Sequence, residues 1–431
     1  MEHADVLILI ASFLIFLAMR VPVAYSIGLA ALLTLLFSMP FLPSITTLAQ
    51  RMATSLDSFT LLAIPFFILA GQVMNRGGIA VRLINFAKAL IGPLPGGLAF
   101  VNIIACMLFG AISGSAVAAA SAIGGFMNPQ MEAEGYDKPF SAAVNITSAT
   151  TGLIIPPSNI LIIYSLASGG VSIAALFLAG YIPGMLIGLA LMLVAGVYSV
   201  YKKYPTAKFV TITVFLRRFL DALPSLFLLV VVIGGIVAGY FTATEASGIA
   251  VVYTFTLAFI YREIGIKDIK PILLETIKTS SIVLLLVATS IAMSWVMSYE
   301  QIPQGLTTIL LGISNHPIIV LILINLILLF VGVFMDITPA VLIFTPIFLP
   351  IVTDLGYDPV HFGIIMIMNL CIGICTPPVG SVLFVGCSVA GLSIQKVLRP
   401  LLPLFVAMLV VLLLVTYVPE LSLWLPSLFG F

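Results

Sequence analysis

Apolar runs of membrane-span length recur along the whole chain, separated by short polar joints. A spanning helix needs about 20 mostly apolar residues. That spacing predicts spans near 5–19, 22–38, 58–75 and 174–201, then near 222–240, 244–261, 279–298 and 398–418. Four regions depart from the pattern. Segments 97–130 and 317–353 hold small or polar residues in mid-run, "AISGSAVA" and "FMDITPA". An arm of the first has about 14 residues, hence about 20 Å of helix, short of the ~30 Å hydrocarbon core. Both segments therefore read as re-entrant hairpins. Segments 137–168 and 357–389 each carry a double proline inside an apolar run. Proline lacks an N–H and clashes with the preceding turn, so these read as broken helices. Unpaired backbone is tolerated at membrane depth only where protein or a cavity surrounds it.

The departures are paired. "GYDKPFSAAVNITSATTGLIIPPSN" begins at Gly135 and "GYDPVHFGIIMIMNLCIGICTPPVG" at Gly356, an offset of 356 − 135 = 221. The same offset pairs Gly152 with Gly373, Pro156 with Pro377 and Pro157 with Pro378. The expected fold is an all-α polytopic membrane protein of two repeats, each of five spans plus one hairpin. The first repeat is 1–203, the linker 204–221 and the second repeat 222–431. Five crossings are odd, so the repeats are expected to be inverted. Amphipathic stretches 76–92 and 301–314 precede the hairpins and are expected to lie flat at the membrane surface.

Charge orients this topology. With both termini outside, sixteen of the seventeen Lys and Arg residues fall on the cytoplasmic side, and Arg51 alone falls outside. Cytoplasmic loops are enriched in Lys and Arg. The chain is 62% hydrophobic and 8% charged, which excludes a water-soluble protein, and no polar segment is long enough for an attached soluble domain. No GxxxxGK[ST] motif supports internal ATP hydrolysis, and a net charge of +1 gives no sign of nucleic-acid binding. The start "MEHADVLILI" lacks a basic region and a cleavage site, so no removed leader is expected. Cys106, Cys371, Cys375 and Cys387 lie in apolar runs and are expected to pack as small hydrophobes. His3 and His316 read as terminal or interfacial, and His361 as the start of a helix without an evident partner.

Paired Gly/Pro-interrupted segments point to a transporter's binding site. Tip one is Ser113 to Ser115 and its break Gly152 to Asn159; tip two is Gly332 to Thr338 and its break Gly373 to Gly380. Freed carbonyls and hydroxyls suit Na⁺, and helix N-terminal ends suit an anion. Close helix packing would explain the small residues but not double prolines at matched positions. Asp336 is the acid expected deepest in the membrane. It can support a cation, bind a hydroxylated substrate, or cap the next half-helix. Glu245, Asp137 and Asp358 are expected to cap helices.

At "GAISGSAVAAASAIG", "ATTGLIIPPSN", "GVFMDITPAVLIFTPI" and "GICTPPVGSVLFVG" the chain resembles the large membrane subunit of tripartite ATP-independent periplasmic (TRAP) transporters. The resemblance covers essentially the whole length, including "RVPVAYSIGLA" and "GYFTATEASG". It implies Na⁺-driven uptake of a carboxylate such as a C4-dicarboxylate, sialic acid or sugar acid across a bacterial inner membrane. It implies an elevator, in which hairpins and broken helices carry substrate past a fixed scaffold. A small four-helix membrane subunit and a periplasmic binding protein complete such systems, and none is an enzyme. The resemblance places one Na⁺ near Ser113, Ser115, Gly152, Ile155 and Pro157, and a second near Gly332, Gly373, Thr376 and Val379. Ile155 and Val379 would act through their carbonyls. Substrate is expected near Ser115, Asp336 and Thr338, with Ser158 and Asn159 added from the break itself.

Other classes remain open at this stage. A sodium/anion symporter acting alone would share the architecture. An intramembrane aspartyl protease would use the two Tyr-Asp pairs, but its partner GxGD motif is absent. A channel would show uncoupled ion current.

Overall fold

The computed structural model describes residues 4–92, 94–206, 211–313 and 316–431. His3, Lys208 and Ser314 fall outside the described residues. Among the described residues there are twenty α-helices and no strand. In the first part of the chain these are α1 (Ala4–Ala18), α2 (Val23–Ser38), α3 (Phe41–Ser55), α4 (Ala63–Arg76), α5 (Ile79–Ile91), α6 (Gly97–Ser113), α7 (Ala116–Ala133), α8 (Lys138–Ala149), α9 (Asn159–Ala167) and α10 (Ile173–Lys202). The rest are α11 (Ile212–Val237), α12 (Ala243–Ile260), α13 (Ile266–Tyr299), α14 (Ile302–Ile313), α15 (Pro317–Phe334), α16 (Ile337–Asp354), α17 (Pro359–Gly373), α18 (Ser381–Ala390), α19 (Ile394–Tyr417) and α20 (Glu420–Leu428).

Local chemistry sets several boundaries. Gly135 and Gly356 take φ of 86° and 85° after α7 and α16, a left-handed step that glycine makes without steric cost. Thr242 and Glu245 form a reciprocal capping box that starts α12, as the acid's position suggested. Asp358 accepts from the backbone N–H groups of Val360 and His361 and caps α17. Asp137 does not cap α8; it pairs with Lys202 at 3.4 Å. The expectation fails there because the end of α10 brings a cation to the first Gly-Tyr-Asp, whereas Leu423 stands at the matching position of the second half. His361 also has a partner: its Nε2 lies 3.4 Å from the Thr416 carbonyl oxygen.

Several elements differ in extent from the expectation. The first hairpin's arms, α6 and α7, have 17 and 18 residues, longer than the arms read from the sequence, and α15 and α16 have 18 each. Among the described residues eight helices, α15 and α16 among them, are long and apolar enough to cross a membrane. Helix α11 begins inside the stretch assigned to the linker, and α13 begins at Ile266 because its charged first turns are helical too. Helices α3 and α20 were not foreseen. The amphipathic stretches form α5 and α14. Helix α5 is tied to the end of α12 by Arg82, which stacks 3.7 Å over Tyr261 and lies 3.6 Å from Glu263.

The helices pack as an inner group against a wall. Inside, α7 packs on α8 and α18, α15 on α17, α16 on α9, and α19 on α8 and α10. The wall is made by α2, α3 and α4 on α13, with α4 also on α12. Helices α8 and α17 lie at the centre: every residue of Phe140–Ala149 and of His361–Gly373 is buried. Most buried polar groups need a hydrogen-bond partner. Accordingly Asn145 donates to the Ala120 carbonyl at 2.8 Å, and Asn369 donates to Asn325 Oδ1 at 2.8 Å. All four cysteines are buried and unpaired as thiols.

Candidate functional site

The first break is built from the end of α8. Its hydroxyls turn back onto their own helix: Ser148 donates to Val144 at 2.7 Å and Thr151 to Ser148 at 2.6 Å. A 3-10 turn, Thr151–Leu153, follows. Pro156 and Pro157, joined by a cis bond, offer no N–H to the preceding turn. Ser158 is buried and donates to the Leu153 carbonyl. The carbonyls of Gly152, Ile155 and Pro157 have no hydrogen-bond donor among the described residues. Helix α10 presses on this backbone at two glycines. A Cβ on Gly180 would overlap the Ile154 carbonyl, and one on Gly184 would overlap the Ile155 side chain.

The second break has the same plan and other neighbours. Thr376 donates to the Ile372 carbonyl at 2.7 Å, leaving its oxygen able to accept. Pro377 and Pro378 are also joined by a cis bond. The Gly380 N–H donates to Val333 of α15 at 3.1 Å, tying the break to the second hairpin. The Ile374 carbonyl accepts from Val382 and Leu383 and so closes the first turn of α18. Carbonyls of Gly332, Thr376 and Val379 have no donor among the described residues, whereas that of Gly373 accepts from Thr376 at 2.8 Å.

Each tip meets its own break through glycine. A Cβ on Gly152 would overlap the backbone of Gly110 and Ala111, and one on Gly373 would crowd Gly332. The first hairpin turns at Gly114 (φ 63°), and Ser115 then caps α7 by accepting from Ala118 at 3.2 Å. The second turns at Met335, and Asp336 caps α16 by accepting from Ile337 at 2.9 Å. Ser115 and Asp336 are equivalent positions, since 115 + 221 = 336. Asn159, which starts α9, lies against Gly114, and its buried Oδ1 has no hydrogen-bond partner.

Both tips open on one cavity of about 490 Å³. Of the residues expected to hold substrate, Ser115, Asn159, Asp336 and Thr338 line it, joined by Ser113. Ser158 does not: it is buried within its break, where its hydroxyl donates to the Leu153 carbonyl. Gly152, Ile155, Pro157, Gly332, Gly373, Thr376 and Val379 do not line the cavity; of these, Gly152, Gly332 and Gly373 make the two tip–break contacts. The opposite wall went unread in the sequence. It is one stripe of α4, with Ile64, Ile68, Gly71, Gln72 and Asn75, and one stripe of α13, with Glu275, Lys278, Thr279, Ile282 and Leu286. Both stripes follow the three-and-four spacing of a helix face, the one signal that could have revealed them.

This arrangement suits a small anion and a hard monovalent cation. The volume lies in the range of small-molecule pockets, roughly 300–1,000 Å³. Among the described residues no group of three or more His, Cys, Asp or Glu could hold a metal. A cation here would therefore rely on the carbonyls left without a donor and on the remaining lone pairs of hydroxyls already engaged, such as that of Thr376.

The chain has recognisable relatives. A family described as "Tripartite ATP-independent periplasmic transporter, DctM component" matches residues 10–421. The uncharacterized protein YgiK of Salmonella typhimurium is 57% identical, over 99% of this chain and 98% of its own. The C4-dicarboxylate TRAP transporter large permease protein DctM of Pseudomonas aeruginosa is 40% identical over 94% of both chains. The isethionate TRAP transporter permease protein DctMQ of Oleidesulfovibrio alaskensis is 41% identical, over 97% of this chain and 66% of its own. In fold, the chain is similar to the YdaH transporter of Alcanivorax borkumensis, with a TM-score of 0.62 over 89% of this chain and 88% of that one at 14% identity.

Proposed function

From the premise that this chain belongs to the DctM component family of TRAP transporters, we propose that it carries an organic acid into the cell, driven by Na⁺. The chain is a multi-pass transporter permease and not an enzyme. The observation that carries the reading is the shared cavity, where Ser113, Ser115, Asn159, Asp336 and Thr338 converge from both tips and one break. A carboxylate such as a C4-dicarboxylate, sialic acid or sugar acid fits its size and its polar donors.

Two Na⁺ sites lie in the tip–break junctions on this reading. Ser113, Ser115, Gly152, Ile155 and Pro157 make the first, through hydroxyls and the unpaired carbonyls of the break. Gly332, Gly373, Thr376 and Val379 make the second, with the Gly373 carbonyl contributing its remaining lone pair. Each ion would hold one tip against its break and offset the Asp336 charge, so that the anion binds once the ions are in place. The two halves act as inverted repeats, each with five spans and a re-entrant hairpin. Helices α6–α9 and α15–α18 move as the elevator against the wall of α4 and α13. Both termini lie outside, on the side opposite the basic ends of α10 and α13. A small membrane subunit and a periplasmic binding protein deliver the substrate; the additional length of the DctMQ relative supports a Q-type partner.

Thermal melting in Na⁺, against K⁺ and choline at equal ionic strength, tests this. A ligand bound only by the folded state stabilises it by about 2.7 kcal/mol at 100 times its Kd. The expected result is a Na⁺-specific rise in Tm that is reduced in Ser115→Ala and in Thr376→Ala, each of which removes a hydroxyl oxygen. Equal Tm in all three salts, with the small subunit present, would reject it.

A further inference from the structure

The cavity wall changes character along its length. Next to the tips, Ile64 of α4 and Leu286 of α13 are buried. At the other end Asn75, Glu275 and Lys278 are exposed, so the mouth lies there. Lys278 is the one cation among the described residues lining the cavity; the acids are Asp336 at the tip and Glu275 at the mouth. Lys278 lies eight residues from Leu286, about 12 Å along the helix axis, and Glu275 about 4.5 Å further out. The two share a helix face at i, i+3, yet they form no ion pair with each other or with any other described residue. Helix α13 packs on α2, α3 and α4, so Lys278 stands on the wall.

We propose that Lys278 is an exit station for the anionic cargo. A carboxylate leaving the tips toward the mouth meets the ammonium before any other charge. Glu275, one turn nearer solvent, then competes for the same ammonium and frees the carboxylate. A station that holds strongly would trap the cargo; one shared with a neighbouring acid passes it on. In the sequence this lysine counted only toward topology, because a basic residue at a helix end has the same signature whether it faces water or a cavity. The proposal rests on the organic-acid reading above.

A thiol reporter tests it without knowledge of the substrate. Ser121 lines the cavity and is exposed, and all four native cysteines are buried. In the full chain purified with its small subunit, Ser121→Cys is modified in parallel by anionic sulfonatoethyl and cationic trimethylammonioethyl methanethiosulfonate. The ratio of anionic to cationic rates is expected to fall about threefold or more in Lys278→Gln, where one nearby unit charge is lost. It should recover in Lys278→Arg and rise above the parent in Glu275→Gln. A control thiol at exposed Thr46 on α3 should show no change. An unchanged ratio in Lys278→Gln, an equal change at Thr46, or an unreactive Ser121→Cys would each overturn the proposal. Loss of the Na⁺-specific Tm rise with the ratio shift intact would instead remove the transport reading and leave Lys278 as an anion site.

Discussion

The two breaks share a motif and differ in company. Around Pro156 and Pro157 the chain is buried, because Gly180 and Gly184 let α10 close on Ile154 and Ile155. Around Pro377 and Pro378 no helix closes in this way: Pro378 is exposed and Val379 is 40% exposed. The first break is held by packing, the second by the Gly380 to Val333 hydrogen bond and by the double use of the Ile374 carbonyl. A repeat in sequence thus conserves how the backbone turns and leaves its surroundings free to diverge. On the Na⁺ reading proposed above, the packed break would suit a fixed ion site and the open one a site that ions enter and leave.

Substitutions at the glycines should break the comparison most sharply. Gly180→Ala would push a methyl into the Ile154 carbonyl and, by the cost of overpacking, lose about 1–3 kcal/mol or more. Its match by offset, Leu401, already carries a side chain and meets no such constraint. A melting curve of Gly180→Ala that overlays the parent would show that α10 does not hold the first break. Next in size, replacing Pro156 and Pro157 together with Ala should impair transport more than insertion, since a continuous helix would close the break. The same change at Pro377 and Pro378 should lower Tm less, because fewer neighbours must shift. Equal loss at both sites would erase the distinction drawn from burial. The smallest effect belongs to Val379→Ala. On the proposed reading Val379 would act only through its carbonyl, and removing this exposed side chain should change stability by no more than about 0.5 kcal/mol. It should also leave the Na⁺-dependent Tm rise intact.

Much of this was legible because the membrane makes the pattern explicit. Long apolar runs marked most helices, and the offset of 221 marked the tips and breaks. The family followed from motifs at those positions. What escaped was set by contacts between distant segments. Helix α3 contains "AQRMATS" and α20 follows Val418 and Pro419, so neither resembles a span, and each is helical because it packs on a neighbour, α13 or α10. Asp137 and Asp358 stand in the same tripeptide, but a lysine from α10 decides the fate of the first. Ser158 looked available as a polar residue beside a break, until the fold turned its hydroxyl onto Leu153. The cavity-lining stripes of α4 and α13 gained meaning only once those helices faced the tips.

The enclosure of α8 has a consequence for synthesis. This helix leaves the ribosome early, yet α18 and α19, which cover it, follow about 230 residues later. At ordinary elongation rates that is on the order of ten to fifty seconds. For that interval the face of α8 that α18 and α19 will cover lacks its final neighbours, although Asn145 already has the Ala120 carbonyl and the hydroxyls their own helix. The halves are therefore tied in time as well as in space: neither can complete its core until the other has been made.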